Sequence, residues 1–254
     1  MCKNNMVSVV IPTLQKNTFV LFKLLDTLIA DNSVKEIIII DNSCKGIDYK
    51  NEKIKVIIPE KNLYVNPSWN LGVKSAECEI VALFNDDLLV SENFCSDVIN
   101  QITPDVGLVG FNSSDWMLGL ESIEQKPENT NPIIEKTDYR DLYYGTIMFI
   151  HKDNYCPIPD EIKIVYGDDW LFYHSKKPNY KISNQDIFHL GSLSSADKHY
   201  NPICKNDAKI YKRLTVKWYN RLFSTQKVWN GTKLRLLGIT LLFKNKNAKG
   251  VKNR

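Results

Sequence analysis

Two pairs of adjacent carboxylates are the side chains in this sequence best placed to do chemistry. One is Asp86-Asp87, within Asn85-Asp86-Asp87, and the other is Asp168-Asp169. The triplet follows directly on the apolar run Ile80-Val81-Ala82-Leu83-Phe84, which is too short for a helix of its own and reads as a buried strand. Carboxylates at the C-terminal edge of such a strand are hard oxygen donors, able to hold a divalent cation that in turn holds a diphosphate. The same residues are also good turn and helix-cap chemistry ahead of Ser91 and the segment 92–102. The second pair opens the helix-like segment 168–175, where a helix macrodipole favours an acidic first turn whatever else those residues do.

Such groups need a scaffold that delivers strand ends to one edge, and the first half of the chain has that rhythm. Residues 7–11 are largely β-branched and end at Pro12-Thr13, and 19–30 then places Phe19, Phe22, Leu25 and Ile29 on one face of a helix. A second strand, 36–40, ends in Asp41-Asn42-Ser43, and a third, 54–58, is stopped by Pro59. A helical segment, 67–75, leads into the strand before Asn85. The βαβ alternation predicts an α/β fold with a parallel sheet and helices on both faces. Thr13, Asp41 and Asp86-Asp87 then converge along the C-terminal edge of that sheet. Beyond Val106 the rhythm changes: 106–111 and 142–150 read as strands, and the polar, Pro-containing stretch 121–136 reads as a loop.

A chain of 254 residues suits one large domain with an appendage. The boundary is placed between 1–203 and 204–254, because the charge changes there. From residue 204 onward there are ten Lys and four Arg against Asp207 alone, 14 − 1 = +13, which leaves 4 − 13 = −9 for the rest of a chain of net charge +4. The longest nearly apolar stretch, 234–243, contains Arg235 and is too short to span a bilayer, and the N-terminus lacks a secretory pattern. Both features point to a cytoplasmic protein. Cys2, Cys44, Cys78, Cys95, Cys156 and Cys204 show no metal-ligand spacing and read as reduced thiols.

In the basic tail, Ile210, Leu214, Trp218 and Leu222 recur at helical spacing, followed by Leu234, Leu237, Leu241 and Leu242, each group flanked by Lys or Arg. The tail is expected to be helical. Its apolar stripe either packs on the domain or a second subunit, or lies peripherally on an anionic membrane surface. No nucleic-acid recognition motif accompanies the charge.

Read in order, these motifs resemble the nucleotide-sugar glycosyltransferases of the GT-A fold, and among them glycosyltransferase family 2. Val-Ser-Val-Val-Ile-Pro-Thr is similar to that family's first strand and Glu-Ile-Ile-Ile-Ile-Asp-Asn-Ser to its second. Asn62 with Asn70-Leu71-Gly72 resembles its Asn-rich stretch, and Glu-Ile-Val-Ala-Leu-Phe-Asn-Asp-Asp its metal-binding Asp-x-Asp strand. Tyr144 to Ile150 is similar to the acceptor-side strand, and Gly-Asp-Asp-Trp-Leu-Phe to the helix start bearing the catalytic base. The resemblance covers roughly residues 6–195. It departs from the family pattern at Asn85, where an Asp is usual, and at Tyr64, where a Gly is usual.

The resemblance implies a single Rossmann-like mixed sheet and a metal-dependent, inverting transfer of a sugar from a nucleotide diphosphate sugar to a hydroxyl of a glycan or glycolipid. Asp87, with the late His189, would hold Mn²⁺ or Mg²⁺, the imidazole favouring Mn²⁺. Asp86 would contact the ribose or the metal's waters, and Thr13 and Asp41 the nucleoside. Asn70 would either bind near the phosphates or tie a loop down. Asp169 would be the general base and Asp168 its orienting or acceptor-binding neighbour. Ser192, Ser194 and Lys198 would lie on a closing loop, and Trp116 and Trp170 are either sugar platforms or core. A lipid-linked acceptor would suit a membrane-bound tail. A sugar nucleotidylyltransferase would be expected to show a Gly-rich basic loop after the first strand, which Pro12-Thr13-Leu14-Gln15 is not. A non-catalytic binding module is left open by Asn85 and opposed by Asp87 and Asp169.

Overall fold

The computed structural model describes residues 5–111, 127–185, 187–190, 198–215, 223–228, 231–237 and 239–244. In chain order the first half contains β1 (Val7–Thr13), α1 (Thr18–Ala30), β2 (Val34–Asp41), β3 (Ile54–Ile57), α2 (Val65–Ser75), β4 (Ile80–Phe84), β5 (Leu88–Leu89) and α3 (Phe94–Ile99). It continues through β6 (Val109–Phe111), β7 (Ile133–Thr137), β8 (Ile147–His151), α4 (Gly167–His174), β9 (Asn179–Ser183) and β10 (Phe188–His189). The chain then forms α5 (Asn201–Thr215), β11 (Phe223–Val228), β12 (Gly231–Leu236) and β13 (Ile239–Lys244).

β1 and β4 are buried along their whole length, and β2 is buried at every position but Lys35. Continuous burial of apolar runs marks strands covered on both faces. These three, with β3, form the parallel half of an eight-stranded sheet of order β3-β2-β1-β4-β8-β6-β9-β7. Beyond β4 the direction reverses: β8 is antiparallel to both β4 and β6, β9 returns parallel to β6, and β7 is an antiparallel edge. The sheet is therefore mixed. Successive side chains of each strand enter opposite cores. Val9, Ile39, Ala82 and Phe149 face α1 and α3, while Val10, Ile38, Val81 and Met148 face Trp69 and Val73 of α2 and Leu171 and Phe172 of α4. Gly72 of α2 is required by this packing, since a Cβ there would lie 2.1 Å from Val10 Cγ1.

α1 begins where Asn17 accepts a hydrogen bond from Val20 N (3.2 Å). Its buried face is Val20, Leu21, Leu24, Leu25 and Leu28 rather than the expected stripe, and Phe19 is exposed. Two strands are shorter or later than expected. The segment 106–111 is extended and paired at Val109–Phe111, and 142–150 enters its strand at Ile147 after a 3₁₀ turn at Tyr144–Thr146. Cys78 is disulfide-bonded, contrary to the expectation of thiols throughout, whereas Cys44, Cys95, Cys156 and Cys204 are free.

The tail departs most from expectation. α5 is helical, but Leu234, Leu241 and Leu242 lie in an antiparallel meander, β11-β12-β13, not in a second helix. Trp218 and Leu222 fall outside the described residues. The boundary expected after residue 203 also falls inside α5, whose Ile210 and Tyr211 pack on the α2/α4 core. Asp207, the lone acid of the basic segment, is fully buried and accepts Lys163 N (3.0 Å), Ile164 N (2.7 Å) and Val165 N (3.1 Å). Asp207→Ala would orphan three backbone donors just ahead of α4, at a cost of at least about 3 kcal/mol. A urea melt should show the midpoint falling accordingly, and an unchanged midpoint would refute this role.

Candidate active site

The C-terminal ends of β1 and β4 open on a cleft of about 450 Å³. Thr13, Asn85, Asp86, Asp87, Arg140, Asp168, Asp169 and His189 all line it. Thr13 Oγ1 donates to Asp86 Oδ2 (2.6 Å) and accepts from Gln15 N (2.8 Å), so the turn after β1 is tied to the end of β4. Burial pushes the Asp86 carboxyl up to about 6, helped by the neighbouring Asp87 and opposed by the Thr13 hydrogen bond.

Asp87 and His189 are brought together by the main chain. β5 and β10 pair with His189 opposite Leu88, and Leu190 N donates to Asp87 O (2.9 Å). Asp87 Oδ1 then lies 3.0 Å from His189 Nε2, both side chains being almost fully buried. An anionic oxygen and an imidazole nitrogen facing each other in a polar cleft suit a divalent cation of the Mn²⁺ type. Among the described residues no group of three or more His, Cys, Asp or Glu is arranged to hold a metal.

Asp168 and Asp169 form the first turn of α4, following Tyr166 and Gly167. Arg140, which the sequence did not single out, bridges the pair: Nη1 lies 2.8 Å from Asp168 Oδ2 and Nε 2.9 Å from Asp169 Oδ1. Burial and the neighbouring Asp168 push Asp169 up to about 6, while Arg140 pulls it down. Gly145 packs against the other side of Asp168, where a Cβ would stand 2.8 Å from the Asp168 Cβ.

Two of the expected residues do not line the cleft. Asp41 holds the loop after β2, accepting Ser43 N (3.0 Å), Ser43 Oγ (2.6 Å), Lys45 N (3.2 Å) and Gly46 N (2.7 Å). Burial would raise its pKa, but these bonds and Gln15 outweigh that and hold it below the usual carboxylate range. The neighbouring Asn42 lines the cleft instead. Asn70 braces the loop before α4, with Oδ1 accepting Ile158 N (3.0 Å) and the Tyr155 hydroxyl (2.8 Å) while Nδ2 donates to Ile158 O (2.7 Å). Trp170 stacks on His174 of its own helix at 3.8 Å between ring centroids. Lys198 is exposed, and Trp116, Ser192 and Ser194 lie outside the described residues.

Tyr64 and Tyr200 also line the cleft, edge to face at 6.3 Å. Tyr64, where the resemblance leads one to expect Gly, keeps a glycine-like backbone, φ 69° and ψ −176°. A tyrosine held in that region stores about 1–3 kcal/mol of strain. The surrounding Asn62–Tyr64 and Asn42–Leu63 hydrogen bonds maintain it.

No curated protein matches the chain. Among solved structures, the chain is similar to S. aureus TarS 1-349 at 15% identity and TM-score 0.49, over 85% of this chain and 77% of that one. It is also similar to the mannosyltransferase PcManGT from Pyrobaculum calidifontis, in complex with GDP-Man and Mn²⁺, at 14% identity and TM-score 0.40, over 58% of this chain and 44% of that one. Residues 8–155, more than half of the sequence, match Glycosyl transferase family 2. The chain belongs to glycosyl transferase family 2, its mainly parallel sheet flanked by helices is that of the GT-A fold, and it is a glycosyltransferase.

Proposed function

We propose that this glycosyltransferase carries out a metal-dependent, inverting transfer of a sugar from a nucleotide diphosphate sugar to a hydroxyl of a glycan or glycolipid. The observation that supports it most is the convergence of two differently equipped carboxylate pairs on one cleft, Asp86-Asp87 beside His189 and Asp168-Asp169 beneath Arg140. Asp87 and His189 would hold the cation, and the remaining ligands would come from the diphosphate and water. When bound, the cation supplies Lewis-acid charge to the leaving diphosphate. Asp86, fixed by Thr13, would contact the donor's ribose or water at the cation. Asn85 contributes a hydrogen-bonding amide without charge. Its backbone is held by Thr146 O (3.1 Å), which joins donor and acceptor walls.

On the acceptor side Asp169 takes the proton of the attacking hydroxyl. Arg140 engages its Oδ1, leaving Oδ2 for that proton, and the cation at Arg140 fixes the rotamer of both carboxylates. Asp168, backed by Gly145, orients the acceptor.

Turnover measured over a panel of nucleotide sugars, with and without Mn²⁺, tests the donor half. EDTA should abolish transfer and Mn²⁺ restore it, and Asp87→Ala should lower kcat/KM by on the order of 10³ or more. Transfer that survived both EDTA and Asp87→Ala would remove the metal from the mechanism.

A further inference from the structure

The C-terminal meander presents a surface that the catalytic domain leaves uncovered. Pairing in β11-β12-β13 puts Phe223, Leu236 and Ile239 in one row, Leu234 and Leu241 in the next, and Phe243 opposite Thr232 in the third. Directly opposed residues of an antiparallel ladder project from the same face. Alternation sends Gln226, Lys233 and Arg235 to the other face, from which Gln226 Nε2 donates to the Tyr173 hydroxyl of α4 (3.3 Å). Gln226 from that face and Lys227 from the far row of the apolar face, paired with Asp138, tether the meander to the domain, while the apolar residues themselves stay open to solvent. Phe223, Ile239 and Phe243 are each more than half exposed, Leu236 and Leu241 are 48% exposed, and the adjoining turn residue Leu237 is 74% exposed. A contiguous apolar face on a sheet with open edges is a surface that folded monomers normally avoid.

Charge selects the occupant. From residue 204 onward the sequence carries ten Lys and four Arg, and its single acid, Asp207, is buried beneath residues 163–165. A second copy would bring two such positive modules together. An anionic surface is complementary to them. Lys227 shares the apolar face at its far row, and Asp138 beside it is paired with that lysine. Lysine and arginine stems can lie along apolar surface while their charged ends reach headgroups. We propose that the meander docks the protein on an anionic lipid bilayer, its apolar face entering the headgroup–acyl boundary and the net positive charge of the segment from residue 204 onward attracting anionic headgroups. The contact is interfacial, since no described helix is long and apolar enough to cross a membrane. The inference rests on the meander alone and not on the proposed catalytic mechanism.

Flotation of the full chain with phosphatidylcholine vesicles, with and without phosphatidylglycerol, provides the test. The protein should float with the anionic vesicles and at least about tenfold less with neutral ones, and high salt should weaken binding. Leu241→Asp with Phe243→Asp should reduce flotation by at least about tenfold with an unchanged thermal transition of the body. Lys233→Glu with Arg235→Glu, which leaves the apolar face intact, should weaken the preference for anionic vesicles by several-fold. Absence of flotation by the wild type, or equal flotation by the apolar-face variant, overturns the proposal. A doubled mass in light scattering, lost in that variant, would assign the face to a second copy instead.

Discussion

Asp169→Asn is expected to lower kcat by on the order of 10³ while leaving donor affinity nearly unchanged. The amide keeps the volume and one hydrogen-bond acceptor for Arg140 but cannot take the acceptor's proton. The pH profile gives a second readout. Burial and Asp168 raise Asp169 to about 6, so the carboxylate is the base form above that value and is protonated below it. In the wild type, kcat should fall as pH drops through about 6. In the variant that acid limb should disappear from the residual activity. Calorimetry with the nucleoside diphosphate separates the alternatives: loss of nucleotide binding in Asp169→Asn would make the residue a structural support of the cleft.

Arg140→Ala is the second change with a large expected effect. The guanidinium contacts both carboxylates through two different nitrogens, Nη1 and Nε, and also donates to Asp141 O (3.0 Å). Its removal leaves two adjacent carboxylates at the start of α4 repelling each other across a partly dry cleft. Two results follow. The acid limb of kcat should move to higher pH, because the cation that pulls Asp169 down is gone. At neutral pH kcat should fall by on the order of 10²-fold, as the base loses both its charge and its fixed rotamer. Arg140→Lys restores the charge without the planar fork. It should return the acid limb toward the wild-type position while recovering part of the rate. A limb that stays in place in Arg140→Ala would show that the arginine only supports the fold.

The parallel half of this molecule is readable from its sequence because β1, β2 and β4 are mostly apolar runs, interrupted by Ser8 in β1 and by Lys35-Glu36 in β2, that lead into Thr13, Asp41 and Asn85. Burial on both faces leaves little else such runs can be. α1 shows the limit of that reading. Phe19, Phe22, Leu25 and Ile29 satisfy helical periodicity, and Leu25 is buried with Phe22 and Ile29 at the margin, yet the buried stripe is centred on Val20, Leu21, Leu24, Leu25 and Leu28, because the sheet decides which part of a broadly apolar helix it covers. The tail fails for a related reason. Leu234, Leu237, Leu241 and Leu242 fit a helical period, while the same stretch also alternates through Thr232, Leu234, Leu236 and then Ile239, Leu241, Phe243. Glycines at 231 and 238 punctuate the second pattern as hairpin residues would, and they were the available signal.

Within the cleft, the carboxylates and His189 are legible because their residue types fall at strand or helix ends. Arg140 is not, being one arginine in an unpatterned stretch whose partners lie 28 and 29 residues away. Asp41 is a good polar candidate by type, but its side chain holds the loop after β2, and of the two roles expected of Asn70 the structure shows the loop-tying one. A sequence pattern locates a polar group on an edge without showing which way it turns.

The reversal of direction at β8 has a bearing on how this chain could diversify. Because β8 runs against β4, its first residues meet the last residues of β4. The connection arriving from β7 is therefore delivered to that edge, and it carries Arg140 and Gly145. On the proposed mechanism, substitution or insertion in that connection would re-tailor acceptor recognition without disturbing the register of β1, β2 and β4. Acceptor preference would then be an exchangeable cassette, hinged on one antiparallel strand.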